Sequence, residues 1–212
     1  RIGVLVSGRG SNLQAIIENI ENDSLAAEIA VVISDQADAF ALERARKHHI
    51  PAVHLSAKGY KGRREDYDAL VVQELRKQHV DLVILAGFMR IITKKLVLAF
   101  PNRIMNIHPA LLPAFPGLHV QKAAIEHGVK FSGCTVHFVD EGMDTGPIII
   151  QAVVPVLDSD TEDALAGRIL KQEHKVFSRA IQLFAEGKLR VEGRRVLVTG
   201  DKPESDQCLI NP

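Results

Sequence analysis

Asn106, His108 and Asp144 are the residues of this 212-residue chain whose types and spacing could do chemistry together. The first two belong to Asn106-Ile107-His108-Pro109-Ala110-Leu111-Leu112, and the third ends the acidic run Asp140-Glu141-Gly142-Met143-Asp144. A primary amide and an imidazole two residues apart lie on the same side of an extended segment. Pro109 bars a helix at that point, because it has no backbone N–H and biases the residue before it toward extended geometry. Asn106 and His108 can therefore aim at one atom, the first as a neutral donor, the second as a donor able to carry charge. Such a pair suits the oxyanion of a tetrahedral intermediate. A carboxylate at Asp144, folded back onto His108, would stabilise the positive charge of an imidazolium. A histidine that merely ends a strand is the plainer account of the segment taken alone.

The surrounding pattern supplies elements to hold these residues. Ile2–Ser7, 28–34, 52–55 and 81–86 are short apolar runs that read as strands. Helices are expected at about 12–21, capped by Ser11 or Asn12, and at 38–48 and 64–79. Apolar strands alternating with amphipathic helices mark a parallel sheet covered on both faces. The second half changes character. A strand at 103–107 leads into a loop rich in proline (Pro109, Pro113, Pro116), followed by a helix at 119–127. Two long β-branched runs, 129–139 and 147–156, read as an antiparallel pair added to the sheet, and 161–186 as a long helix. The fold class is thus α/β: a Rossmann-like, mostly parallel twisted sheet, helices on both faces, with an antiparallel addition in the C-terminal half. Residues 1–198 read as one domain, with 1–100 the phosphate-binding half and 101–198 the catalytic half. Residues 199–212 form a polar tail.

Composition narrows the function. With 26 basic and 26 acidic residues the formal net charge is zero, so no basic field is available for nucleic acid or an anionic membrane. No window of the sequence approaches a membrane span, and Arg1–Gly8 is too short and too soon interrupted for a signal sequence. Cys134 and Cys208 are the only cysteines; two reduced thiols suit a cytoplasmic protein, and no spacing suggests zinc or any other metal.

Three further segments could bind. In Ser7-Gly8-Arg9-Gly10-Ser11-Asn12 a glycine turn between strand and helix offers backbone N–H groups to one phosphate. The spacing fits neither a dinucleotide nor a triphosphate loop, and a tight turn with a Ser/Asn cap explains it equally well. Leu85-Ala86-Gly87-Phe88-Met89-Arg90-Ile91-Ile92 lies at a strand's carboxyl end, where ligands bind in open α/β sheets; its apolar residues and one Arg suit a flat heteroaromatic ring. Core packing is the commoner fate of Phe88, Ile91 and Ile92. In the acidic run, Asp140 and Glu141 read as solvated turn residues. Gln172-Glu173-His174 reads as helix surface, and His119 and His137 carry no local mark of chemistry.

Taken together, Gly-Arg-Gly-Ser-Asn at 8–12, Ala-Asp-Ala-Phe at 37–40, Leu-Ala-Gly-Phe-Met-Arg at 85–90, Asn-Ile-His-Pro-Ala-Leu-Leu-Pro at 106–113 and Gln-Glu-His at 172–174 resemble the phosphoribosylglycinamide formyltransferases of purine biosynthesis. The resemblance runs from Ile2 to about Val198 and implies a co-substrate, 10-formyltetrahydrofolate, with no metal. It implies that Gly10, Ser11 and Asn12 hold the substrate's phosphate and that Glu173 binds the ribose hydroxyls. Arg64, Met89, Arg90, Ile91 and Ile92 would hold the folate, and Asn106 would touch the formyl group. His108 would be the catalytic acid, supported by Asp144. The implied partners are small molecules, with no nucleic acid or membrane, and the assembly a monomer or homodimer. Two positions depart from the family pattern: Ala110, where relatives often carry Ser, and Leu170, where a polar residue is common.

Overall fold

A computed structural model describes residues 1–200. The polar tail expected from 199 therefore lies, from 201 onward, outside the described residues, and so does Cys208. One nine-stranded sheet organises the rest, in the order β3-β2-β1-β4-β5-β6-β7-β9-β8. β1 (Ile2–Val6), β2 (Ile29–Ser34), β3 (Ala52–His54), β4 (Leu82–Leu85) and β5 (Ile104–His108) are parallel. β6 (Phe131–Phe138) and β7 (Ile148–Pro155) follow antiparallel, as expected for the two β-branched runs.

Every residue of β1, β2 and β4 is buried, because helices cover both faces. Side chains alternate across the sheet with period two. Val4, Val6, Leu82 and Ile84 join a core beneath α1 (Ser11–Glu21), α2 (Phe40–Lys47), α5 (Val120–Glu126) and α6 (Glu162–Ala185). Leu5, Val83 and Leu85 face the other way, onto α3 (Arg64–Lys77) and α4 (Lys94–Ala99).

Three elements differ from the sequence reading. α1 is capped by neither Ser11 nor Asn12: Gly10 is its N-cap, with φ 70° and no side-chain cap bond. A Cβ at Gly10 would lie 2.6 Å from Ala41 Cβ of α2, so only glycine lets this turn pass so close to that helix. α4 was not expected. Its Thr93 N-cap follows the β-branched pair Ile91-Ile92, and its six residues carry too little periodicity to read. Nor was the closing hairpin of β8 (Leu189–Glu192) and β9 (Arg195–Val198), although Leu189-Arg190-Val191-Glu192 alternates and Gly193 marks the turn. It attaches to the sheet through Ile148 of β7 opposite Arg195.

Candidate active site

β5 brings Asn106 and His108 to the carboxyl end of the parallel strands, with β4 on one side and β6 on the other. His108 is 4% exposed, and both of its ring nitrogens face acceptors. Nε2 lies 2.8 Å from Phe115 O, and Nδ1 lies 3.4 Å from Asp144 Oδ2. The carbonyl can only accept, so Nε2 carries a proton in this arrangement. Asp144 Oδ2 also accepts from Gly117 N at 3.0 Å. The expected approach of Asp144 to His108 is thus present. Asp144 has φ 54°, a left-handed conformation unusual for a side-chain-bearing residue, and Gly146 just beyond it packs against Phe138 O where no Cβ would fit. Burial acts to raise the Asp144 carboxyl, but the His137 imidazole, the Gly117 N–H and the charge of His108 together hold it below its ordinary value.

His137 is the residue that the sequence reading missed. It is 2% exposed and stands opposite Asn106 in the β5–β6 register. Its Nδ1 sits 2.9 Å from Phe138 O, which must accept, leaving Nε2 to accept from Asn106 Nδ2 at 3.2 Å. Nε2 is also 3.7 Å from Asp144 Oδ1, too far for a hydrogen bond, and it attracts that carboxylate only when the ring is protonated. Only the strand register distinguishes His137 from the other histidines, and register is not written in local sequence. The acidic loop is an exposed turn, as expected, with bonds of its own. Asp140 Oδ1 accepts from Gly142 N at 3.0 Å and Thr145 Oγ1 at 2.6 Å, while Glu141 pairs with Lys94 at 3.2 Å.

A cleft of about 130 Å³ opens between these residues and the loop after β4. Phe88, Arg90, Ile91 and Ile92 line one side, with Asn106, His137 and Asp144 on the other. Two polar clasps hold that loop. Ser7 Oγ accepts from Met89 N at 2.9 Å while donating to Asp35, and Asp68 accepts from both Thr93 N (2.6 Å) and Thr93 Oγ1 (2.7 Å). Arg90 stacks over the Tyr67 ring at 4.5 Å. Ile91, which lines the cleft, and Met89, which does not, stand 59% and 70% exposed, a cost in water that a flat apolar ligand would remove. Arg64, at the exposed start of α3, does not line the cleft.

At the other candidate site, Ser11 and Asn12 open α1 just after Gly10, and Asn12 Nδ2 donates to Glu173 Oε2 at 2.8 Å. Glu173 is 7% exposed and faces α1 rather than solvent, which corrects its reading as a surface residue. Burial raises its carboxyl, and the Asn12 bond opposes this only in part. Asn12 Oδ1 is buried without a hydrogen-bond partner. A larger hollow, about 640 Å³, lies between α1 and α6 and gathers none of the residues expected to act. Among the described residues no group of three or more His, Cys, Asp or Glu is placed to hold a metal, and no helix is long and apolar enough to cross a membrane.

Comparison with known proteins settles the family. The formyl transferase family profile matches residues 1–181. Phosphoribosylglycinamide formyltransferase of Escherichia coli (strain K12) is 42% identical over 201 residues, which cover 95% of this chain and 94% of that protein. The chain belongs to the phosphoribosylglycinamide formyltransferase family. Among solved structures, glycinamide ribonucleotide transformylase 1 from Symbiobacterium toebii is 55% identical with a TM-score of 0.91, covering 93% of each chain. Such a match bears out the mostly parallel sheet with its antiparallel addition. The trifunctional purine biosynthetic protein adenosine-3 of Drosophila pseudoobscura pseudoobscura is 50% identical over 192 residues. This formyltransferase-family chain spans only 14% of that longer protein.

Proposed function

We propose that the chain transfers the formyl group of 10-formyltetrahydrofolate to the amine of 5'-phosphoribosylglycinamide, giving the formylated ribonucleotide and tetrahydrofolate. One observation carries the reading: Asn106, His108 and Asp144 converge at the end of β5, beside a cleft with an apolar wall. The family of the chain supports it.

In this reading the glycinamide nitrogen attacks the formyl carbon, and the carbonyl oxygen becomes an oxyanion. Asn106 and His108 donate to that oxygen, which competes with Phe115 O for the His108 Nε2 proton. Loss of one such donor typically costs about 10²–10³ in rate. The C–N bond to the folate then breaks; the attacking amine gives up one proton and the departing folate nitrogen gains one. Asp144, held in its anionic form, balances the charge on His108 and passes that proton through His108 or water. The electrophile is already activated, so holding both reactants in one cleft supplies much of what remains.

Binding follows the same division. Backbone N–H groups at Gly10, Ser11 and Asn12 take the phosphate, and Glu173 takes the ribose hydroxyls. Met89, Arg90, Ile91 and Ile92 take the folate ring, and Arg64, outside the cleft, could reach only the far end of a long ligand. We read the protein as one domain over 1–198, acting in the cytoplasm as a monomer or homodimer.

A spectrophotometric assay with a 10-formyl-folate, run with and without the ribonucleotide, tests the proposal. Product that forms only with the ribonucleotide is the expected result. Release of folate without it would mean a hydrolase, and no turnover with both ligands bound would leave a family member that does not transfer.

A further inference from the structure

Behind His108 lies a closed set of hydrogen bonds that the proposed chemistry does not use. Thr135 of β6 is fully buried and stands opposite His108 in the β5–β6 register. Its Oγ1 donates to Ala110 O at 2.7 Å and accepts from Leu112 N and Gln151 Nε2, both at 3.0 Å. Gln151, opposite Thr135 on β7, gives its other amide hydrogen to Leu112 O at 2.9 Å. A hydroxyl has one proton and two lone pairs, and a side-chain amide has two hydrogens. All are used. The hydroxyl cannot turn without leaving a buried backbone group of Ala110 or Leu112 unpaired, which makes the set rigid. Ala110 takes part through its carbonyl, so its side chain has no share in this bond.

The segment pinned in this way begins directly after His108, and its far end returns to the site. Phe115 O receives the His108 Nε2 proton at 2.8 Å, and Gly117 N donates to Asp144 Oδ2 at 3.0 Å. We propose that Thr135 and Gln151 are positioning residues for formyl transfer. By fixing Ala110 and Leu112 they hold Phe115 O and Gly117 N where these orient the His108 ring and the Asp144 carboxylate. The inference rests on the proposed function.

Thr135→Val keeps the side chain's shape and removes all three bonds, whereas Thr135→Ser keeps them. With both substrates, Thr135→Val should lower kcat about 10- to 100-fold and change either KM less than threefold, and Thr135→Ser should stay within about threefold of the unaltered protein. Gln151→Met, at a more exposed position, should lower kcat by a smaller factor and serves as the test if Thr135→Val does not fold. A folded Thr135→Val with undiminished kcat, or losses in the Ser variant as large as in the Val variant, would overturn the positioning role. No transfer by the unaltered chain would remove the functional reading and this inference with it. Transfer by the unaltered chain together with full activity in Thr135→Val and Gln151→Met would remove the positioning role alone.

Discussion

Asp144 and Glu173 are both carboxylates drawn out of solvent, yet their surroundings push them in opposite directions. Burial works against the charge of each. At Asp144 the His137 and His108 rings and the Gly117 N–H more than offset burial, and the carboxyl is held below its ordinary value. At Glu173 only the Asn12 amide opposes burial, and the carboxyl is raised. Next to it, Asn12 Oδ1 has no partner at all. Buried polar groups are nearly always satisfied, so a corner left short points to a ligand that completes it. On the proposed function, ribose hydroxyls donate to Glu173 when the ribonucleotide binds. On that proposal, chemistry is arranged in advance at one carboxylate and binding is left unfinished at the other.

Asp144→Asn probes the finished side and should have the largest effect. The variant keeps the shape but leaves His108 without its counter-charge, and kcat should fall roughly 10²–10⁴-fold with little change in either KM. Stability carries a sign as well. A carboxyl held below its ordinary value of 3.8 contributes stability that is present above that value and lost as pH falls through the lower folded value. Thermal unfolding should therefore show Asp144→Asn less stable than the unaltered protein at pH 7, with the gap closing below about pH 4. Full activity in this variant would remove Asp144 from the mechanism.

Glu173→Gln probes the unfinished side, and its stability effect has the opposite sign. A carboxyl raised from 4.5 contributes stability that is fully present below that value and is lost as pH rises through the folded value. The glutamine variant should be the more stable protein at pH 8, and its advantage should shrink toward about pH 4. Its cost appears in binding. A hydrogen bond to a charged group is worth about 1.5–3 kcal/mol, so KM for the ribonucleotide should rise about tenfold or more while kcat at saturation holds. A stabilised variant with unchanged KM would mean that Glu173 is no ligand. A destabilised one would mean that its corner is as well provided for as Asp144's.

The two corners were not equally legible in sequence. Asn106 and His108 could be read because their i, i+2 spacing and Pro109 fix a local geometry, and local geometry is what sequence patterns encode. The parallel half of the sheet was legible for the same reason, as apolar runs alternating with helical stripes. Contacts between elements were not. His137 meets Asn106 only through the β5–β6 register, and Thr135 meets Ala110 and Leu112 only because β6 passes beneath the proline loop. Glu173 reaches Asn12 across 161 residues. Its place on a charged stretch of α6 suggested solvent, and only the family resemblance marked it. The closing hairpin shows another limit: its alternation was present, but four-residue strands rich in charge carry a weak signal.

Asn12→Ala should give the smallest effect, and the comparison turns on its smallness. Two buried features vanish together. The bond from Asn12 Nδ2 to Glu173, at 2.8 Å, is a loss of about 1.5–3 kcal/mol. The unpartnered Oδ1 also disappears, and relief of such a group is worth about 1–3 kcal/mol. The two nearly cancel, so stability at neutral pH should change by under about 1 kcal/mol, a Tm shift of no more than about 2–4 °C for a chain of this size. KM for the ribonucleotide should rise about threefold, less than in Glu173→Gln, because Glu173 remains but is less well placed. A fall in Tm of more than about 6 °C would mean that Asn12 is as firmly built into the fold as the groups around Asp144. The corner at Glu173 would then be finished without a ligand, and the contrast between the two carboxylates would have to be sought in their charge alone.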